Sequence, residues 1–253
     1  MELSILQIIV LSIIQAATEF LPISSSAHLL LPSKVFGWPD QGIIFDITVH
    51  FATLAAVLIF FRDQFLRLSF YVSKKFIFLV ISTLPIVLVA LFVEGIGDYR
   101  WSITSIAYAN IFFALLLYIS EKTSQKKYLN SDMTAKHAIV IGLFQTLSLV
   151  SGASRSGTAI TASLFLGFKK SEAATYSLML SIPTILGALV FSFLEINTLE
   201  EDIDILYTFM AFITTFTVSY LSISLFFGLV KKLGYMPFIV YRLVLGIILL
   251  WLI

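Results

Sequence analysis

The sequence predicts an all-α integral membrane protein with six transmembrane helices and two re-entrant helical hairpins, arranged as an inverted-topology repeat. Three observations support this class. Hydrophobic residues make up 59% of the 253 residues and charged residues 12%, about half the roughly 25% of an ordinary soluble domain. Six apolar stretches have about the length that crosses a bilayer. Two further apolar regions are each interrupted by small polar residues. We expect a single membrane domain over residues 1–253.

The six predicted spans are bounded by charged or turn residues. They are Ile43–Phe61, Lys75–Val93, Trp101–Ile119, Glu172–Leu194, Tyr207–Val230 and the slightly short Phe238–Ile253. Connections rich in Lys and Arg face the cytoplasm. Twelve such residues mark the inside, namely Arg62, Arg67, Lys74, Lys75, Lys122, Lys126, Lys127, Lys136, Lys169, Lys170, Lys231 and Lys232. The acidic connections at 94–100 and 195–206 are therefore expected outside.

The two interrupted regions, Leu3–Pro32 and His137–Phe168, are predicted hairpins. Lys136 and Lys169 both lie inside, so the region between them enters and leaves by one face. Each of its arms is too short to cross a hydrocarbon core of roughly 30 Å, which favours a hairpin over two spans. The N-terminal region is then a second hairpin that enters from the outside.

The two hairpins also align with each other. Gln15 and Gln145 are 130 positions apart, and the same offset aligns Ser24–His28 with Ser154–Thr158. Three spans follow each hairpin, which predicts inverted repeats at approximately 1–120 and 137–253, joined by a cytoplasmic loop at 121–136. Such repeats place irregular backbone near a site at the membrane midplane. Non-helical backbone at that depth must be buried or line a wet cavity, so we expect the two hairpin tips to meet.

Few ionisable residues are predicted inside the membrane, where each is costly unless it is paired or hydrated. They are Glu19, His28, Asp46, His50 and Arg155, with Arg242 near the inner end of the last span. Glu19 and Arg155 belong to opposite repeats and are expected to converge, in a functional site or in a structural ion pair. Asp46 and His50 are one helical turn apart, and they either line the same cavity or pair with each other.

Gln15 and Glu19 are also one turn apart on a helix that leads into the first tip. A carboxylate and an amide oxygen on one face suit a hard divalent cation such as Mg²⁺ or Ca²⁺, which also recruits substrate phosphates. The alternative is a polar pair that stabilises a helix kink.

We expect no nucleic-acid partner, because the net charge is +1. We expect the N-terminal stretch to be mature protein rather than a signal peptide. A signal peptide begins with a positively charged segment, whereas this sequence carries the acidic Glu2 there.

Both tips carry residues suited to phosphate chemistry. Ser24, Ser25, Ser26 and His28 offer hydroxyls beside an imidazole. Such a set can supply a nucleophile with a base, although serines at a turn can also simply cap the backbone. The second tip offers Ser154, Arg155, Ser156 and Thr158. Small residues before a helix N-terminus, together with an arginine, predict an anion cradle.

Three stretches carry a resemblance to a known family: 15–28, 142–157 and Met236–Arg242. On these residues the chain resembles the bacitracin-resistance type of undecaprenyl-diphosphatase. The resemblance implies hydrolysis of undecaprenyl diphosphate to undecaprenyl phosphate and inorganic phosphate, with a divalent cation, on the outer side of the bacterial cytoplasmic membrane. It implies a role in recycling the lipid carrier of peptidoglycan synthesis. It also implies that the functional carboxylate, serine, histidine and arginine are Glu19, Ser25, His28 and Arg155.

These lines combine into one expected mechanism. Glu19, with Gln15, holds Mg²⁺ or Ca²⁺, and Arg155 stabilises the transferred phosphoryl group. Ser25 is the nucleophile or positions water, and His28 is the base. The remaining substrate contacts are expected from Gln15, Ser24, Ser26, Ser154, Ser156 and Thr158. The expected partners are the polyprenyl diphosphate substrate and membrane lipids, and a homodimer is left open. The alternative function is an ion-coupled secondary transporter or a polyprenyl-phosphate flippase, because these also use inverted repeats.

Overall fold

The computed structural model describes residues 3–92, 101–196 and 204–252. The α-helices within these ranges are α1 Ile5–Thr18, α2 Ser25–Phe36, α3 Gly42–Phe60, α4 Arg62–Phe65, α5 Leu68–Tyr71, α6 Lys74–Phe92, α7 Ile103–Thr123, α8 Ala135–Thr146, α9 Arg155–Phe165, α10 Lys170–Ile196, α11 Ile205–Leu233 and α12 Met236–Trp251. Short 3₁₀ turns lie at Asn130–Asp132 and Leu147–Leu149.

In the described part of the chain, five helices are long and apolar enough to cross a membrane: α3, α6, α7, α10 and α11. They overlap the first five predicted spans with ends that differ by a few residues, and they define a multi-pass membrane protein. The sixth predicted span corresponds to α12, which has only 16 residues. The acidic connection at 94–100, most of that at 195–206 and Ile253 lie outside the described residues.

Each predicted hairpin is a pair of short helices joined by an irregular tip. The first tip, residues 19–24, joins α1 to α2, and the second tip, residues 147–154, joins α8 to α9. The tips end at Ser24 and Ser154, which cap α2 and α9 with φ angles of 72° and 74°. This left-handed region is disfavoured for residues with a Cβ. In both tips the serine hydroxyl is 3.2 Å from that of the serine two residues later, Ser26 or Ser156. The same unusual geometry recurs at two positions 130 residues apart, which the alignment of the two hairpins pairs.

The two halves of the chain are interlocked. Helix α1 of the first half packs against α11 of the second, and α8 of the second half packs against α6 of the first. Helices α7 and α12, each the last of its half, pack against each other. The main hydrophobic cluster includes Phe20 and Leu54 together with Ile160, Met179 and Phe226. The core is therefore shared between the halves.

Two of the basic connections meet at one end of the bundle. The backbone N–H of Lys127 donates to the carbonyl of Gly167 at 2.9 Å, which joins the connection after α7 to the turn before α10. At the same end, Lys170 forms an ion pair with Glu121, a buried residue near the end of α7. The clusters around Lys127 and Lys170 therefore face the same side, as the charge pattern predicts.

Candidate active site

The two hairpin tips contact each other directly. The backbone N–H of Gly152 donates to the Ser24 hydroxyl at 3.1 Å, and the Ser156 hydroxyl donates to the carbonyl of Leu21 at 2.9 Å. These bonds satisfy polar groups that would otherwise be orphaned in an apolar surrounding. The prediction that the tips meet is confirmed.

Arg242 of α12 connects the two tips through hydrogen bonds. Its side chain is fully buried and donates to three backbone carbonyls, those of Pro22 at 3.1 Å, Gly152 at 2.5 Å and Ala153 at 3.2 Å. The sequence pattern marks Arg242 as an ionisable residue in an apolar span but predicts no role for it. The structure shows that one guanidinium satisfies backbone groups of both tips, which fixes the position of one tip relative to the other.

The second tip also packs closely on α7. Gly152 has a φ of 100°, and a Cβ at this position would lie 2.9 Å from the Ala109 Cβ and from the Ile106 carbonyl oxygen. Only glycine combines this backbone conformation with so close an approach. The tip is therefore held between α7 and the Arg242 side chain.

Glu19 is the centre of a hydrogen-bonded cluster at the junction of the tips. Arg155 Nη2 donates to Glu19 Oε1 at 2.9 Å, and the Ser25 hydroxyl donates to Glu19 Oε2 at 2.6 Å. Gln15 Nε2 also donates to Oε2, at 2.9 Å. The predicted convergence of Glu19 and Arg155 is confirmed. The guanidinium balances a buried carboxylate charge, which leaves that carboxylate positioned to accept the proton of Ser25.

An open pocket of about 180 Å³ lies at this junction. Its lining residues are Glu19, Ser24, Ser25, Ser26, His50, Ser148, Ser154, Arg155, Thr184, Ile185 and Ala188. The volume is smaller than the roughly 300–1,000 Å³ of pockets for drug-sized ligands. It suits a phosphate headgroup, while a long isoprenoid chain would have to remain outside it.

Four predicted site residues do not line the pocket: Gln15, His28, Ser156 and Thr158. Gln15 is fully buried behind Glu19 and directs its amide nitrogen toward it, so its oxygen does not face the pocket with the carboxylate. The Thr158 hydroxyl donates to the Arg155 carbonyl at 3.0 Å and, like that of Ser156, supports the backbone of the tip.

His28 is turned away from the pocket. Its Nδ1 is 2.7 Å from the Ser24 carbonyl oxygen, and its Nε2 is 2.6 Å from the Tyr241 hydroxyl. A carbonyl oxygen only accepts, so Nδ1 carries the proton, and in the neutral ring the tyrosine donates to Nε2. The ring also stacks on Tyr241 with centroids 5.6 Å apart. Both nitrogens are therefore occupied, Nδ1 by the N-cap of α2 itself and Nε2 by a residue of α12.

His50 is the histidine that lines the pocket. Its Nδ1 is 2.7 Å from the backbone carbonyl oxygen of Asp46, one turn earlier on α3. The Asp46 carboxylate accepts from Gln41 Nε2 at 3.2 Å. The sequence predicts that Asp46 and His50 either line the cavity or pair with each other. In the structure, His50 lines the cavity. Spacing along the sequence could not distinguish His50 from His28, because both lie near the first tip.

The pocket provides few ligands for a resident metal ion. Among the residues that the structure describes, no cluster of three or more His, Cys, Asp or Glu side chains could hold one. Glu19 is a single carboxylate already paired with Arg155. This donor set fits a hard cation that shares its coordination with substrate phosphate oxygens and waters, as Mg²⁺ sites commonly do.

The fold and the pocket define a multi-pass α-helical membrane protein with a combined carboxylate, hydroxyl and guanidinium site between two interlocked hairpins. Residues 8–248 match the family described as bacitracin resistance protein BacA. The chain belongs to that family.

Curated relatives match over nearly the whole chain. A protein of Alteromonas mediterranea is 38% identical, covering 98% of this chain and 98% of its own length. One of Chromohalobacter salexigens is 37% identical over 97% of each chain. One of Campylobacter curvus is 39% identical over 98% of this chain and 99% of its own. All three are named undecaprenyl-diphosphatase.

Proposed function

We propose that this protein hydrolyses undecaprenyl diphosphate to undecaprenyl phosphate and inorganic phosphate. The names of the three relatives and the family membership support this activity. The observation that carries it is the contact of the Ser25 hydroxyl with Glu19, whose other carboxylate oxygen is held by Arg155. The reaction returns the lipid carrier to peptidoglycan synthesis and confers resistance to bacitracin.

Ser25 attacks the terminal phosphorus of the diphosphate. Its proton passes to Glu19 Oε2, to which the hydroxyl already donates at 2.6 Å. A bond forms between Ser25 Oγ and phosphorus while the bridging P–O bond breaks, and its electron pair leaves with undecaprenyl phosphate. Arg155 lines the pocket and has N–H donors beyond the one bound to Glu19. These stabilise the charge on the transferred phosphoryl group.

The residues of the pocket would use a divalent cation, Mg²⁺ or Ca²⁺, together with the substrate phosphates. When bound, it neutralises charge on the diphosphate oxygens. Glu19 is the protein carboxylate that would hold it, with waters and phosphate oxygens completing the coordination. Gln15 orients the Glu19 carboxylate through the hydrogen bond from Nε2 to Oε2. The Gln15 side chain itself does not line the pocket.

The protein lies in the bacterial cytoplasmic membrane with six spans and two re-entrant hairpins, and the pocket faces outward. The position of the lining residues supports this orientation. His50 lies nearer the Gly42 end of α3 than the end beside Arg62, and Ala188 lies nearer the Ile196 end of α10 than Lys170. Both therefore lie in the half of the bundle away from the basic connections, which mark the cytoplasmic side.

A transport function is the second candidate. The observation that favours it is the exchange of partners between the two halves, in which α1 packs on α11 and α8 packs on α6. Interlocked inverted repeats are also the framework of alternating-access transporters. A flippase or an ion-coupled transporter would use the same Glu19–Arg155 junction as its gate.

The test uses detergent-purified protein and undecaprenyl diphosphate. Inorganic phosphate and undecaprenyl phosphate are measured with Mg²⁺, with Ca²⁺ and with EDTA. We expect equimolar release of the two products that depends on the cation. Absence of release from folded protein, together with lipid flux in liposomes, would reject hydrolysis and support transport.

A further inference from the structure

The pocket contains a histidine nitrogen with no assigned task. His50 Nδ1 faces a backbone carbonyl oxygen at 2.7 Å, and since that oxygen only accepts, Nδ1 must carry the proton. In the neutral ring the lone pair is then on Nε2. This nitrogen has no hydrogen-bond partner in the part of the chain that the structure describes, and the side chain lines the pocket. His50 is therefore oriented as a proton acceptor.

The proposed reaction needs such a group in its second half. Once Ser25 has been phosphorylated, its proton is on Glu19, so this carboxylate is no longer available as a base. The charged or titratable side chains that line the pocket are Glu19, His50 and Arg155. Arginine stays protonated in proteins, so it cannot accept a proton from water. The other nearby histidine, His28, has both ring nitrogens engaged and does not line the pocket.

We infer that His50 is the general base that activates the hydrolytic water. This inference rests on the proposed phosphatase function and completes its cycle. Water attacks phosphorus in phosphoryl-Ser25, and its proton passes to His50 Nε2. A P–O bond to the water oxygen forms, and the bond to Ser25 Oγ breaks. The serine oxygen regains its proton from Glu19, inorganic phosphate leaves, and His50 releases its proton to solvent.

The inference predicts which step fails without the imidazole. In His50→Gln, formation of phosphoryl-Ser25 should proceed, while its hydrolysis slows. We expect steady-state turnover to fall by about 10²-fold or more, the usual range for loss of a general base. Rapid-quench measurements should show a burst of about one undecaprenyl phosphate per active site. With substrate labelled in the terminal phosphate, the label should remain on the protein at Ser25.

Two further variants protect the test from a folding artefact. His50→Ala should show the same burst and regain turnover when free imidazole is added. His137→Gln is the matched control, because His137 lies at the start of α8 against Tyr128 and Phe168, away from the pocket. It should keep wild-type turnover and show no burst.

The outcomes separate the inference from the proposed function. No product from wild-type protein would reject the function itself. An active wild type whose His50 variants keep full turnover, or slow without protein-bound phosphate and without imidazole rescue, would reject the role of His50. Accumulation of protein-bound phosphate in His28→Gln but not in His50→Gln would assign the base to His28 instead.

Discussion

Arg155 Nη2 and Glu19 Oε1 lie 2.9 Å apart although 136 positions separate the two residues along the chain. Each residue belongs to a different hairpin, and each hairpin packs on a helix of the opposite half. The ion pair therefore forms only when both halves are folded and docked. The site is formed where the two halves of the chain meet, so residues that hold the tips together are expected to affect its chemistry.

Removing the proton acceptor or the hydroxyl of the Ser25–Glu19 pair should abolish most of the activity. We expect Glu19→Gln and Ser25→Ala each to lower kcat by at least about 10²-fold, because general-base catalysis typically contributes 10²–10⁴-fold. Phosphate release under saturating substrate measures the effect. Ser171→Ala is the matched control, since Ser171 is exposed at the start of α10. Normal turnover in Ser25→Ala would show that water attacks directly.

Arg242→Met should destabilise the protein even though Arg242 does not line the pocket. The substitution leaves buried carbonyls of Pro22, Gly152 and Ala153 without their donor. Each unsatisfied buried group costs about 1–3 kcal/mol, so the total should reach about 3 kcal/mol or more. Thermal unfolding in detergent measures the loss. The exposed Arg62→Met is the control and should unfold like wild type; equal stability of the two variants would contradict the role of Arg242.

Gly152→Ala should separate the second tip from α7. The added methyl group would lie 2.9 Å from Ile106 carbonyl oxygen and Ala109 Cβ, at a φ that disfavours alanine. We expect lower thermal stability and a loss of phosphate release. Gly228→Ala is the matched control in α11, where nothing lies within 4 Å of the new methyl group. It should be neutral or stabilise the helix by up to about 1 kcal/mol.

The outward orientation can be tested with single cysteines, because the chain contains none. Gln125→Cys lies in the basic connection and Glu200→Cys in an acidic one. A membrane-impermeant maleimide added to intact cells should label the Glu200→Cys variant alone, and both variants should react in broken membranes. Labelling of Gln125→Cys in intact cells would reverse the orientation.

Five of the predicted spans and the meeting of the tips could be predicted from the sequence because they follow from bilayer thickness, charge bias and the cost of exposed backbone in lipid. The Glu19–Arg155 pair could also be predicted, because an ionisable group inside a membrane is costly unless it is paired. The choice between His28 and His50 could not be predicted, because it depends on the rotation of α2 and α3 about their axes. The left-handed backbone of Ser24 and Ser154 and the contacts of Arg242 also depend on packing between distant segments.

The central claim is that the junction of the two tips is the phosphatase site, and Arg155 tests it most directly. Phosphate release from undecaprenyl diphosphate should be measured for purified wild type, Arg155→Lys and Arg155→Ala with matched folding checks. We expect Arg155→Ala to lose at least about 10²-fold in kcat/KM, the scale of one transition-state contact. Arg155→Lys should retain part of the activity, because it keeps the charge without the fork of donors. Wild-type turnover by folded Arg155→Ala would contradict the account.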